Sequence, residues 1–224
     1  MSSTATILEM TAVRWGQEPP LELRVGAGEC VFLRAGGDDG RRVRAFGDAV
    51  CGIEPPPEGV VRFNGADWRE LPPAEAERRR ARIGRVFEGA AWVSNLDVDE
   101  NVLLAQRHHT RRPDAELRAE AERLARTFGL ARLPGTRAAW TDPRDLQRAQ
   151  WVRALLGAPA LLLLEFPERR AAAVHVAALA AAVDAARARG AGVLWITARA
   201  PASFALSSAP GAVAAVGGFP ETGE

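Results

Sequence analysis

Apolar and polar residues alternate with a period of two near the start of the chain. Residues 7–14 and 21–25 show this alternation, which is typical of strands with one buried face. A glycine turn leads to a short apolar strand over 30–33, a loop over 35–40 and a helix over 41–51. The pattern therefore predicts two half-buried strands followed by a strand–loop–helix unit.

Short apolar runs and helical stretches alternate through the rest of the chain. Residues 160–164 are an unbroken apolar run, as in a strand buried on both faces of a parallel sheet, and residues 192–197 form a second such strand. Helical periodicity with one apolar face dominates from 102 to about 133. Further segments are predicted as strands over 60–64 and 83–87 and as helices over 74–82, 146–156 and 171–189. Together they predict an α/β core with a mainly helical insert at about 90–150.

The length and composition fit a single domain over residues 1–224, and the charge gives no reason to expect binding to nucleic acid or to anionic lipid. A hydrophobic fraction of 47% supports a sizeable core, and a net charge of +1 gives no bulk attraction to nucleic acid or anionic lipid. Residues 1–6 lack the pattern of a secretion signal, and we find no apolar run long enough to cross a bilayer. Cys30 and Cys51 form no disulfide framework, which fits a reducing cytosol.

The histidines do not show a metal-binding spacing. His108 and His109 precede two arginines and are typical of a solvated helix end, and His175 lies far along the chain. The two cysteines add no metal pattern. We therefore predict no metal site.

The chain contains no lysine, so all 29 of its basic residues are arginine. Genomic GC bias accounts for arginine on the surface. It does not account for a missing lysine after the loop at 35–40, which lies between a strand and a helix. In a phosphate loop of the form G-x-x-x-x-G-K-[ST], that lysine supplies the charge on the terminal phosphates.

Five segments, taken in order, resemble the ATP-binding subunit of ABC transporters. They are GDDGRRVRAFGDAVCG (37–52), PPPEGVVRFNG (55–65), RIGRVFEGAAWVSNLDVDENVLL (82–104), LQRAQWVRALLGAPALLLLEFP (146–167) and VLWITARAP (193–201). The resemblance covers nearly the whole chain. It implies a P-loop NTPase-like ABC ATPase core with a mainly parallel central sheet, N-terminal antiparallel β strands and a helical subdomain at about 90–150.

The residues at that family's phosphate-loop positions differ from its motif. These positions hold Gly37, Gly40, Arg41, Arg42, Val43, Arg44 and Ala45. Val43 replaces the lysine, which removes charge-assisted hydrogen bonds of roughly 1.5–3 kcal/mol each. Arg42 replaces a glycine and obstructs the close approach of the backbone to phosphate. The resemblance therefore implies a loop without its usual phosphate contacts.

The family's other functional positions are replaced as well. The resemblance aligns Glu88 with the magnesium-sensing glutamine, Glu165 with the Walker B aspartate and Phe166 with the catalytic glutamate. The signature loop corresponds to residues 141–145 (TDPRD), and the switch histidine corresponds to Ala198. Phe166 cannot polarise an attacking water, and losing a general base typically costs about 10²–10⁴ in rate.

These replacements leave vestigial nucleotide-site residues and no catalytic residue. The candidate site consists of Trp15, which would stack on adenine, together with Gly37, Gly40, Arg41, Arg42, Arg44, Glu88 and Glu165. The arginines can grip phosphate as forks, so weak ATP binding stands as the alternative to no cofactor. In the family's sandwich dimer, Asp142 of the signature loop would add negative charge near a partner's γ-phosphate.

Three functions remain open from the sequence. The first is a non-hydrolysing pseudo-ATPase that acts as structural or regulatory partner of a membrane permease or of an active ABC ATPase paralogue. The second is an ABC ATPase that binds and slowly hydrolyses ATP through its arginines, and the third is a free-standing protein-interaction module. Residues 95–102 correspond to the surface that receives the permease, which favours the first and a cytoplasmic location on the inner face of the membrane. A decaying duplicate gene is disfavoured by the intact apolar periodicity.

Overall fold

The computed structural model describes residues 5–17, 19–35, 40–89, 91–198 and 212–213. Its strands are β1 (Thr6–Arg14), β2 (Leu21–Gly26), β3 (Cys30–Arg34), β4 (Glu58–Phe63), β5 (Ala66–Asp67), β6 (Ile83–Val86), β7 (Leu161–Glu165), β8 (Gly192–Thr197) and β9 (Ala212–Val213). Its helices are α1 (Gly40–Val50), α2 (Pro73–Arg80), α3 (Val98–His109), α4 (Asp114–Thr127), α5 (Pro143–Leu155) and α6 (Ala173–Ala188).

The strands form two sheets of different kinds. β2, β1, β4 and β5 form an antiparallel sheet in that order. β6, β7, β8, β3 and β9 form a parallel sheet, whose strands need long crossover connections. This arrangement confirms the predicted α/β fold with a mainly parallel central sheet and N-terminal antiparallel strands.

Two apolar layers cover opposite faces of the parallel sheet. In β7, Leu162 and Leu164 join the layer that contains α3 to α6, whereas Leu161 and Leu163 join the layer of α1 and the antiparallel sheet. All four side chains are fully buried. Because successive side chains of a strand point to opposite faces, a strand covered on both sides is a nearly continuous apolar run, with a charged residue only where that charge is paired. The apolar run at 160–164 has this cause.

The helices α3, α4 and α5 pack against one another. Phe128, which follows α4, lies edge-on against Trp151 of α5 with ring centroids 5.4 Å apart. The periodic stretch predicted over 102–133 is divided between α3 and α4, because the extended residue Thr110 ends α3 and Pro113 precedes the next helix.

Several predicted boundaries are corrected by the structure. The helix predicted over 146–156 begins earlier, at Pro143, because proline suits a first turn and the carboxylate of Asp142 accepts a hydrogen bond from the Arg144 N–H at 2.7 Å. The helix predicted from residue 41 begins at Gly40.

Both cysteines are buried free thiols. Burial raises the pKa of Cys30 to about 12 and that of Cys51 to about 11. Across the part of the chain that the structure describes, no helix combines the length and the apolar character needed to span a bilayer.

Candidate functional site

A cleft of about 530 Å³ lies where α1 begins and where β6 and β7 end. In open α/β sheets, ligands bind beyond the carboxyl ends of parallel strands. Five predicted site residues, Gly40, Arg41, Arg44, Glu88 and Glu165, come together here. The full lining is Gly40, Arg41, Arg44, Arg85, Phe87, Glu88, Gly89, Glu165 and Arg169.

A buried ion-pair network closes the floor of this cleft. Arg85 of β6 donates from Nε to Glu165 Oε1 and from Nη1 to Asp48 Oδ1, both at 2.6 Å. The side chains of Arg85 and Glu165 are only 5% and 2% exposed. The second oxygen of Glu165 accepts a hydrogen bond from the backbone N–H of Glu88 at 2.9 Å. Both oxygens of Glu165 are therefore engaged within the protein.

Gly47 of α1 makes room for this network. A Cβ atom at this position would overlap the Arg85 guanidinium and Glu165 Oε1. Arg85 Nη2 also donates to the backbone carbonyl of Arg44 at 3.4 Å. The helix α1 is thus fixed to the ends of two strands through one guanidinium.

Burial dominates the ionisation of Glu165. Burial raises the pKa of its carboxyl, and the charge of Arg85 and the amide of Glu88 oppose that rise. For Arg85, burial lowers the pKa, but the charge of Glu165 and the hydrogen bond with Asp48 help to hold it above its ordinary value. The guanidinium therefore supplies a permanent positive charge beside Glu165.

The positions that align with lysine and with the catalytic glutamate are both apolar and buried. Val43 is 0% exposed and lies in the core layer of α1. Phe166 is 1% exposed, and its φ of 43° places it in the left-handed region, which costs a non-glycine residue about 1–3 kcal/mol. The Arg169 guanidinium lies 3.7 Å from the centre of the Phe166 ring and donates to Glu88 at 2.5 Å.

Two predicted site residues, Trp15 and Arg42, do not line the cleft, and a third cannot be placed. Trp15 is half-buried and packs against Phe46 of α1, with ring centroids 6.0 Å apart. Arg42 is half-buried and is not part of the lining. Gly37 lies outside the described residues. Their nucleotide-binding roles stay predictions.

Sequence reasoning missed Arg85, Asp48 and Arg169. Arg85 had a detectable signal, because it is a charged residue within a strand whose neighbours are apolar or glycine. Such a charge is buried only when it is paired. Its partner Asp48 lies on α1, and no local sequence pattern predicts that Asp48 pairs with Arg85.

The signature-loop positions fold differently from the prediction. Residues 143–145 form the first turn of α5, and the Asp142 carboxylate caps that turn through the Arg144 N–H. The effect of the Asp142 charge on a partner's nucleotide stays a prediction.

Residues 93–97 form a loop before α3, and the side chain of Asn101, near the start of α3, holds this loop together. The buried Asn101 amide donates to the carbonyls of Val93, Leu96 and Asp97 at 3.0–3.2 Å and accepts from the Val93 N–H at 2.8 Å. Two apolar side chains near this loop, Val93 and Leu104, are each 44% exposed.

No protein-family model matches the chain. Curated relatives include the molybdate/tungstate import ATP-binding protein WtpC of Archaeoglobus fulgidus, 35% identical over 148 residues, which are 66% of this chain and 57% of that protein. The phosphonates import ATP-binding protein PhnC 2 of a Synechococcus species is 35% identical over 50% of the chain and 44% of the relative. The chain spans less than two thirds of the length of both relatives.

Solved structures share the fold. An ATP-binding subunit of an ABC transporter superposes with a TM-score of 0.73 at 23% identity, covering 86% of this chain and 79% of the other. A dimeric ATP-binding cassette in a post-hydrolysis state, bound to ADP and Pi, superposes with a TM-score of 0.74 at 20% identity and covers 86% and 88%.

The two sheets, the helical layers and these superpositions define the class of the chain: it has the α/β fold of an ABC ATPase domain. Its homologues are the ATP-binding subunits of ABC transporters.

Proposed function

We propose that the chain is an ABC-type subunit that occupies an ATPase position in a transporter without hydrolysing ATP. The observation that carries this proposal is that both carboxylate oxygens of Glu165 already accept hydrogen bonds, one from Arg85 and one from the backbone amide of Glu88. Under this proposal the chain contributes its fold and its docking surfaces to the transporter. The Arg85 guanidinium pairs with Glu165 in the cleft and takes the place of a bound cation.

The residues present in the cleft do not fit Mg-ATP. Mg²⁺ requires near-octahedral oxygen ligands, and Glu165 would have to leave Arg85 to provide one. Arg44 and Ala45 offer no hydroxyl at the positions where the family has one. Val43 points into the core and cannot hold phosphate.

The chain also lacks groups that could activate water at the family's positions. Phe166 is a buried aromatic residue where the family has a general base, and Ala198 carries no proton-transfer group. The two carboxylates that line the cleft are paired with arginines, Glu165 with Arg85 and Glu88 with Arg169, which favours nucleotide-independent roles.

The proposed partners are a membrane permease and an active ABC ATPase paralogue. Hydrogen bonds from Asn101 hold the loop 93–97 in place, and Val93 in this loop and Leu104 on α3 expose apolar side chains of the kind that a docking surface uses. This partnership would place the chain on the cytoplasmic face of a membrane.

A second candidate is slow ATP hydrolysis through arginines. Arg41 and Arg44 are exposed in the cleft beside Arg169, and guanidinium forks bind phosphate well. This candidate requires nucleotide binding, so it can be separated from the first by experiment. A free-standing interaction module, the third candidate, would show no association with membranes.

The test is a melting curve with and without ATP, in the presence and absence of Mg²⁺, combined with an ATP turnover assay. A ligand present at ten times its Kd would stabilise the fold by about 1.4 kcal/mol, and we expect no such saturable shift and no turnover. Turnover that Arg44→Ala abolishes and Arg126→Ala preserves would overturn the proposal. Arg126 is a suitable control because it is a 58% exposed arginine on α4.

A further inference from the structure

Glu77, His108 and His109 form a cluster away from the cleft, which we call the His–His–Glu cluster. Their ligand atoms all lie within 4.8 Å of one another. Glu77 is on α2, and the two histidines are in the last turn of α3. His108 Nε2 lies 2.8 Å from Glu77 Oε1, and the two imidazole rings are 4.6 Å apart in an edge-on arrangement.

Two imidazole nitrogens and one carboxylate oxygen are ligands that borderline divalent metals such as Zn²⁺ prefer. In a tetrahedral site with Zn–N bonds of about 2.0 Å, ligand atoms lie about 3.3 Å apart. We expect side-chain rotation to close this difference, because His108 and Glu77 are 66% and 52% exposed and so have room to move.

The neighbourhood of the cluster permits a cation. Within the described part of the chain, His109 has no hydrogen-bond partner, so one of its ring nitrogens is available. Arg107, the cation next to the pair in sequence, is held by Asp114 at 2.6 Å. Arg80, whose charge reaches Glu77, donates its Nη1 to the Gly52 carbonyl at 2.9 Å.

We propose that Glu77, His108 and His109 bind one borderline transition-metal ion, with Zn²⁺ as the representative ion and an open fourth position for water. The ion would link α2 to the end of α3, two elements that the contact between His108 and Glu77 already joins. The spacing of histidines and cysteines could not predict this site, because the third ligand, Glu77, lies 31 residues before His108. The proposal is independent of whether the chain hydrolyses ATP.

The test is calorimetric titration of Zn²⁺ into the full chain, prepared without a histidine tag and freed of metal by chelator. We expect one Zn²⁺ per chain, with millimolar Mg²⁺ failing to compete because Mg²⁺ prefers oxygen ligands. Substitution of outer-shell partners alone typically costs about 10–100-fold in metal affinity. His108→Ala, His109→Ala and Glu77→Gln should therefore each weaken binding by at least about tenfold.

The chain provides a matched control in His175→Ala, because His175 is its remaining histidine of three. Both cysteines are buried and cannot substitute as ligands in the folded chain. We expect the control to bind Zn²⁺ as the wild type does, and Zn²⁺ to raise the melting temperature of both but not that of His109→Ala. Absence of saturable binding, or binding that persists in the His108→Ala/His109→Ala double variant, would overturn the proposal.

Discussion

Arg85 carries a formal charge into a strand whose other positions are apolar or glycine, and its two carboxylate partners lie on different elements. Removing charges from water costs several kcal/mol per ion, and a close, well-bonded pair is needed to offset that cost. Gly47 has a related role, since any side chain there would displace the pair. At the scale of single residues, the buried guanidinium of Arg85 therefore fixes the arrangement of the cleft floor.

Removal of one member of this pair should be more harmful than removal of both. We expect Arg85→Met to lower the free energy of unfolding by about 3–5 kcal/mol, because Glu165 is left as an unpaired buried carboxylate. Arg85→Met/Glu165→Gln should recover part of that loss, since the glutamine can still accept from the Glu88 amide. Urea unfolding of the four members of the cycle measures the coupling, expected in the upper part of about 0.5–3 kcal/mol.

The exposed Arg126→Met is the control for this cycle and should change stability by less than about 0.5 kcal/mol. Strictly additive losses of unfolding free energy in the double variant would show that Arg85 and Glu165 are not coupled. The proposal that Arg85 occupies Glu165 would then lose its support.

At the scale of elements, the sequence predicts what depends on local periodicity. The strands β7 and β8 were predictable because burial on both faces demands apolar residues throughout. The start of α5 was misplaced because the capping by Asp142 depends on one side chain rather than on a period. The site was predictable only in part, because the contact of Arg85 with Asp48 joins residues 37 positions apart.

The junction of α3 and α4 gives a pH-dependent prediction. Hydrogen bonds from Arg107 and Arg118 lower the pKa of Asp114 from 3.8 to about 2. Since the folded-state pKa lies below the unfolded one, this carboxylate contributes stability above pH 3.8, and the contribution is lost as pH falls towards 2. A carboxyl NMR titration should report a pKa of about 2 for Asp114, and Arg118→Ala should move it upward. An unchanged titration in the variant would contradict the assignment.

At the scale of the whole molecule, the parallel sheet is held by apolar packing on both faces and by one buried ion pair. Apolar layers cover both faces of the parallel sheet, and the buried guanidinium fills the position between α1 and the strand ends. The exposed apolar residues next to the Asn101-bonded loop are the surface that we propose for the permease.

Docking by this surface is testable with the double variant Val93→Glu/Leu104→Glu. Both residues are 44% exposed, so the fold should tolerate the changes, whereas charged side chains would disrupt an apolar contact. The measurement is co-sedimentation with inner-membrane vesicles from host cells that lack the gene. We expect the wild-type chain to sediment with the vesicles and the double variant to remain in solution. Val174→Glu, which changes a 71% exposed residue on α6, should behave as wild type. Equal sedimentation of all three proteins would place the docking surface elsewhere, and a wild-type chain that stays in solution would favour the free-standing module.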